Sequence, residues 1–218
     1  MITSGRIVDI ANAQHPDLFV LLGDYVTAQF PRSRQHCAGF AWPCAQILRG
    51  LRAPFGSVAI LGNHDFNTDS TIVSEALSAH GHLVLRNRSV PLEPGGRGRL
   101  WLAGFEDLLK NPADPAAVLQ PIPEGECVLA LVHEPDYADQ LCRYPIDFQI
   151  SGHSHGGQIR CPGVGALWLP EGAWKYPMGF YRLGPLQLYS NRGVGVTRLP
   201  LRLLCPPEIT VFTLRRSG

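Results

Sequence analysis

Four short strings in this chain are rich in side chains that bind cations. They are Gly23-Asp24, Gly62-Asn63-His64-Asp65, a single His133, and Gly152-His153-Ser154-His155. Asp24 offers two carboxylate oxygens, enough to bridge two ions. Asn63 offers an amide oxygen, and His133, His153 and His155 offer neutral imidazoles. A mixed nitrogen and oxygen set without sulfur suits Mn, Fe, Zn, Co or Ni better than Ca or Mg. One histidine at a strand end is ordinarily a solvated or satisfied residue. The combination is much rarer. From average composition, Gly-Asn-His-Asp arises by chance in about one chain of this length in a thousand, and Gly-His-x-His in about one in a hundred. The pattern predicts a metal site.

The strings have elements to hold them. Residues 18–22, 57–61, 127–132 and 148–151 are continuous apolar runs, the mark of strands buried on both faces. Each run ends in one of the strings. Ligands in α/β sheets gather beyond the carboxyl ends of strands, so these residues are expected at one sheet edge. His153 and His155 alternate at i and i+2, which in a strand puts both on one face. Gly156-Gly157 then lets the chain turn away. A helix is expected to end near Gln14, broken by His15-Pro16-Asp17. A second covers residues 38–51, irregular at Pro43. A third starts at Asp69 or Ser70 and stops at Gly81. Asp114-Pro115 opens a short fourth. Residues 82–86 and 99–103 read as strands around a Pro/Gly turn, and residues 158–215 as short strands and turns.

Composition bounds the answer. The chain has 218 residues, a formal net charge of +1, 45% hydrophobic and 17% charged residues, which fits one globular domain. No apolar run approaches the ~20 residues of a membrane helix, and no signal-peptide pattern is visible. These residues alone point to the cytoplasm. Balanced charge argues against a dedicated nucleic-acid binder. Six cysteines with no Cys-x-x-Cys pair read as reduced, mostly buried thiols.

The ordered strings resemble the calcineurin-like metallophosphoesterases, whose signature runs D-x-H, G-D, G-N-H-[DE], a lone His, then G-H-x-H. Residues 152–158, together with Asn191-Arg192-Gly193-Val194-Gly195 and Pro206-Pro207-Glu208-Ile209-Thr210, are similar to the YaeI/YkuE-like bacterial phosphodiesterases. The resemblance implies two stacked mixed β-sheets flanked by helices, a four-layer sandwich with two metals at the strand ends. It implies that Asp24 bridges the ions. Asn63, His133 and His153 complete one metal, and His155 belongs to the other. His64 would contact the phosphoryl oxygen and help protonate the leaving group, with Asp65 holding its tautomer. Manganese is the favoured metal, and a metal-activated hydroxide the expected nucleophile.

One part of the signature is absent. No D-x-H string occurs, and neither Asp9 nor His15, ahead of the Asp24 strand, replaces it. Asp9 falls in a helix and His15 at the wrong end of its strand. The second metal is therefore expected to be weakly held. The chain is expected to be one calcineurin-like domain, residues 1–218, shortened at its amino end by the strand that carries D-x-H.

Further residues fit the same reading. Arg32, Arg34 and His36 follow Asp24 in a loop and are candidates for contacting substrate phosphate. Arg86, Arg88, Arg97 and Arg99 form a basic cluster, most simply a solvated hairpin face. Trp168, Trp174, Tyr176, Phe180 and Tyr181 crowd the stretch after residues 152–155, some as core and some as a pocket wall or lipid contact. The expected substrate is a phosphoester, most simply a phosphodiester, lipid- or nucleotide-linked esters both fitting. Peripheral membrane contact and an envelope location are compatible with it. The alternative is an impaired scaffold that binds a single metal.

Overall fold

The computed structural model describes residues 4–27, 34–93, 95, 98–111 and 113–215. Two sheets lie face to face. The first is a parallel three-stranded sheet, β1 (Phe19–Leu21), β2 (Ser57–Ala59) and β3 (Leu83–Val84), with β2 central. The second is mixed. It contains β4 (Arg88–Leu92), β5 (Leu100–Gly104), β6 (Cys127–Leu131), β7 (Phe148–Ser151), β10 (Gly179–Leu183) and β11 (Leu186–Ser190), in the order β10-β11-β7-β6-β5-β4. Two outer hairpins, β4-β5 and β10-β11, flank a parallel centre. A two-residue pair, β8 (Arg160–Cys161) and β9 (Gly165–Ala166), stands apart.

Three apolar cores separate four layers, as expected from sequence. Val58, Ile60, Leu85, Leu102, Leu129 and Leu131 interleave between the sheets. The outer face of the first sheet is covered by α3 (Ala41–Leu48) and α5 (Ser70–Ala79), through Ala45, Val73, Ala76 and Leu77. The outer face of the second is covered by α6 (Pro115–Leu119) and α7 (Ala138–Leu141), through Val118, Leu119 and Leu141. Burial on this scale, at about 25 cal/mol per Å² of apolar surface, is what holds the layers together.

Helix boundaries follow their caps. Asp69 accepts from the Thr71 and Ile72 N–H groups at 3.1 Å each, and Asp114 accepts from Ala116 N–H at 3.0 Å. The helix expected over residues 38–51 is shorter. A separate α2 (Arg34–Ala38) precedes α3, and Pro43 sits in the first turn of α3, where its missing N–H costs nothing.

Two expectations about strands are corrected. β1 is half-buried throughout rather than buried on both faces, because it pairs with β2 alone among the described residues. The runs at 82–86 and 99–103 are not partners. The first pairs with β2 as β3, and the chain crosses to the second sheet at Asn87, whose φ is +47°. The hairpin partner of β5 is β4, which the sequence hid because Pro91 interrupts it. Proline is tolerated there because β4 is an edge strand. The cysteines are all free, but only Cys37 and Cys205 are buried.

Candidate metal centre

The site forms where the carboxyl ends of strands from both sheets meet, rather than at the edge of one. β1 and β2 deliver Asp24 and Asn63-His64, and β6 and β7 deliver His133 and His153. One ligand atom from each of Asp24, His133 and His153 lies within 4.8 Å of the others. The His133 and His153 rings meet edge-on, 4.8 Å between centroids. Such convergence demands glycine behind it. A Cβ on Gly62 would collide with the Asp24 carboxylate and the His133 ring, and one on Gly23 with the Gly62 backbone. Asp24, His153 and His155 themselves carry φ of +61°, +61° and +49°. Non-glycine residues hold that conformation at a cost, and such positions concentrate at functional sites.

His153 and His155 do not share a strand face, as their alternation suggested. Both lie beyond β7, and His155 opens a 3-10 turn, His155–Gly157. Residues 152–156 also spell Gly-x-Ser-x-Gly, the pattern of a serine nucleophile. Ser154 does not serve as one. It is buried, and its Oγ accepts from Gly156 N–H at 3.0 Å.

Backbone carbonyls fix the imidazoles. His133 Nδ1 donates to Leu22 O at 2.6 Å, which turns Nε2 toward Asp24 Oδ2, 3.1 Å away. His153 Nε2 donates to Glu171 O at 2.8 Å, leaving Nδ1 to face the cluster. These contacts select tautomer and orientation, as carbonyl partners do for metal-bound histidines. Asn63 Oδ1, His153 Nδ1 and His155 Nδ1 are buried without hydrogen-bond partners. Buried polar atoms are normally paired. Lone pairs of this kind are what a divalent cation takes up, and His153 lies in the converging group with Asp24 and His133, so the residues present fit the metal that the sequence pattern predicts.

Electrostatics agree. Burial would raise the Asp24 carboxyl, but the His133 charge and hydrogen bond hold it well below the usual carboxylate range. Burial would lower His133, but Asp24 overrides it and pushes His133 up to about 10. Burial, followed by the His133 charge, pushes His153 down to about 3, and burial holds His155 down to about 4. Hence His153 and His155 are neutral and ready to ligate at pH 7, while His133 carries a proton paired with Asp24. In the metal-free chain, the raised His133 contributes stability complete below its ordinary 6.5 and lost as pH rises through about 10. Metal uptake is then expected to expel about one proton per chain, with affinity rising toward pH 10. Calorimetry at pH 7 in buffers of different ionisation heat measures this directly. A binding heat independent of buffer would refute the displaced His133 proton.

The role expected for Asp65 is corrected. Its carboxylate does not reach the His64 ring. It is fully buried and accepts from four backbone N–H groups: Asp24 at 2.8 Å, Tyr25 at 2.9 Å, Gly62 at 3.0 Å and Val26 at 3.2 Å. Burial and the Asp24 charge push it up to about 7, against the pull of these donors. Asp65 therefore staples the loop after β1 to the loop after β2. Neighbouring helical residues do not face each other, which is why Asp65 and His64 point apart. His64 sits in the first turn of α4 (Asn63–Thr68), its N–H donating to Asp24 Oδ1 at 3.0 Å. Its ring makes no hydrogen bond among the described residues and is partly exposed.

A second support comes from the carboxyl-terminal segment and carried no chemical signal in sequence. Arg202 and Cys205 both donate to His155 O, at 3.3 Å and 3.2 Å. A Cβ on Gly156, at φ +60°, would strike the Arg192 stem and the Cys205 sulfur. Arg192 is ion-paired to Glu208, which also accepts from Tyr189 and Asn191. The two carboxyl-terminal strings noted in the sequence thus brace the turn that presents His155.

The remaining candidates are not gathered into the cluster. Arg32 lies outside the described residues. Arg34 is exposed on α2 and lines a cavity of about 340 Å³ with Trp42, Thr68 and Asp69, beside the far end of α4 from Asn63. The His36 ring packs edge-on against Phe40, 5.3 Å between centroids. The basic cluster is largely neutralised. Arg86 pairs with Glu106, Arg99 pairs with Glu93 and Glu126, and Arg88 donates to Val84 O, whereas Arg97 lies outside the described residues. Tyr176 and Tyr181 pack against the core, while Trp168, Trp174 and Phe180 are exposed.

A model of the calcineurin-like phosphoesterases matches residues 4–157, well over half of the chain. The chain belongs to the calcineurin-like phosphoesterase family. It is 40% identical over 208 residues to the uncharacterized metallophosphoesterase YkuE of Bacillus subtilis (strain 168), covering 95% of this chain and 71% of that protein. It is 33% identical over 207 residues to the phosphodiesterase YaeI of Escherichia coli (strain K12), covering 92% and 71%. The crystal structure of the calcineurin-like phosphoesterase YfkN from Bacillus subtilis superposes with a TM-score of 0.51 at 16% identity, over 70% of this chain and 63% of that one, a likeness of fold. The protein is thus a metallophosphoesterase, a hydrolase of phosphoesters that works with divalent metal ions. No helix of the described residues is long and apolar enough to cross a membrane.

Proposed function

We propose that this metallophosphoesterase cleaves phosphodiesters, using divalent transition-metal ions, manganese favoured, held by Asp24, Asn63, His133, His153 and His155. The observation that supports this most is the set of buried, unpartnered donor atoms around Asp24. When bound, the ions would polarise the phosphoryl oxygens and acidify water, the attacking nucleophile. The chain supplies the rest. Leu22 and Glu171 carbonyls hold the imidazoles in the ligating tautomer. Glycines at 23 and 62 let the two loops close on one point. His64, partly exposed and anchored through its backbone to Asp24, is placed to contact the phosphoryl group and give a ring proton to the leaving oxygen.

His64→Ala is expected to keep the fold and its metal while losing roughly 10²–10⁴-fold in kcat on bis(4-nitrophenyl) phosphate, the usual scale of general acid catalysis. Metal content measured on the purified variant checks the assignment. Loss of metal along with rate would place His64 among the ligands instead. A second reading, a single-metal scaffold, draws support from the one group of convergent His and carboxylate ligand atoms among the described residues, Asp24, His133 and His153. One ion per chain with no turnover in excess Mn²⁺ would favour it.

A further inference from the structure

Large apolar side chains are exposed unusually densely beside His155. Residues 159–168 and 194–204 present Val164 at 75% exposure, Leu204 at 61%, Leu167 at 60%, Leu199 at 56%, Leu201 at 53% and Trp168 at 48%. Single exposed apolar residues are ordinary, but a contiguous group marks an interaction surface. The two segments form one platform. Ile159 bridges to Leu203, and Arg160 N–H donates to Leu203 O at 3.0 Å. The Gln158 amide donates to Thr197 O at 2.9 Å and Leu199 O at 3.0 Å, and accepts from Thr197 N–H at 2.7 Å.

The platform is also positively charged. Its two segments hold Arg160, Arg198 and Arg202 and no acidic residue. None of the three arginines forms an ion pair among the described residues. The Arg198 guanidinium lies over the Trp168 ring, 4.4 Å from its centroid. Aromatic rings beside cations are the chemistry of a bilayer interface, where the ring sits at headgroup depth and the cation meets lipid phosphate. Leu167, Trp168, Arg198 and Leu199 then descend into an open cavity of about 190 Å³ that His155 and Ser154 also line. The apolar rim therefore runs down to His155, the proposed ligand that lines this cavity.

We infer that this platform seats on an anionic phospholipid surface, so that the ester cut at the metal centre is one carried by a membrane lipid. What is cut rests on the phosphodiesterase reading. The seating does not, because it requires no metal. Charge complementarity selects the surface: Arg198 is exposed, while Arg160 and Arg202 donate to backbone carbonyls and keep their charge without an acidic partner, so the platform would repel a second copy of itself and attract an anionic leaflet.

The test is cosedimentation of the chain, in EDTA, with phosphatidylcholine vesicles with and without phosphatidylglycerol. Binding to the anionic vesicles is expected, weakened severalfold by raised salt. The exposed double variant V164E/L201E, outside the cavity, is expected to lose about tenfold or more of that binding. Its metal-supported hydrolysis of soluble bis(4-nitrophenyl) phosphate is expected to stay at the wild-type rate, which reports an intact fold. Emission of the tryptophans should shift to the blue with anionic vesicles, and the shift should vanish in Trp168→Ala. Absence of binding to anionic vesicles would overturn the inference, and so would a wild-type dimer that V164E/L201E dissociates. Failure of hydrolysis with vesicle binding intact would count against the phosphodiesterase reading and leave the docking standing.

Discussion

Asp24→Asn is expected to abolish metal binding and turnover together. Both oxygens of Asp24 are committed, Oδ1 to the His64 N–H and Oδ2 toward His133 Nε2. An asparagine amide has one acceptor oxygen, so it either loses the His64 anchor or turns its NH₂ on the His133 face. It also lacks the charge a divalent ion needs. Partners that merely orient metal ligands are worth about 10–100-fold in affinity. A ligand placed between two sheets is expected to cost more than that, and kcat should fall accordingly. One signature separates this from unfolding. Without the Asp24 charge, burial dominates His133, and its imidazole should titrate below its ordinary 6.5, where an unfolded chain would leave it. Histidine NMR on metal-free wild type and variant reads this. A His133 that still titrates near 10 in Asp24→Asn would show that Asp24 is not its partner.

Asp65→Ala is expected to have the largest effect on stability of any single substitution at the site. Four backbone N–H groups, on Gly62, Asp24, Tyr25 and Val26, would lose their acceptor in a region where Asp65 itself has no exposed surface. Removing one side of such a buried charged network costs about 3–5 kcal/mol. For a chain of this size, that lowers Tm by roughly 10 °C or more. The loops after β1 and β2 would part, so metal affinity should fall even though Asp65 is no ligand. Thermal unfolding followed with and without Mn²⁺ checks both halves. A variant that unfolds at the wild-type temperature but loses rate would restore the catalytic role its position beside His64 suggested.

Much of the site was legible in sequence for a physical reason. Strand, tight turn and ligand follow one another within a few residues at Gly23-Asp24, at Gly62-Asn63-His64 and at residues 152–155. Local strings of that kind carry both the chemistry and its placement. What could not be read lies in backbone atoms and distant partners. The Leu22 carbonyl sits 111 positions from His133, and the Glu171 carbonyl 18 positions from His153. Any residue type presents a carbonyl, so neither leaves a trace in composition. Asp65 departs from the role the resemblance implied because its carboxylate is taken up by four backbone N–H groups. The division of the strands between two sheets was hidden for a related reason. Apolar runs show that a strand is buried but not which partner buries it, and β3 and β4 differ in sheet although Asn87 lies between them.

The Arg202 and Cys205 contacts to His155 O extend the site across nearly fifty residues of chain. They tie the metal-facing turn to the same segment that exposes Leu199, Leu201 and Leu204. A lipid surface that bears on this segment bears directly on the position of His155. The Asp24, His133 and His153 cluster, by contrast, is held by loops from the two sheets and depends less on that segment.

The central claim is that the Asp24, His133 and His153 cluster binds the metal that drives phosphoester hydrolysis. The most direct measurement titrates the metal-free chain with Mn²⁺ while following bound metal and bis(4-nitrophenyl) phosphate turnover in the same sample. Turnover should rise with site occupancy, disappear on chelation, and be absent with its bound ion in His133→Ala. Hydrolysis that survives chelation, or metal binding that survives His133→Ala unchanged, would contradict the account.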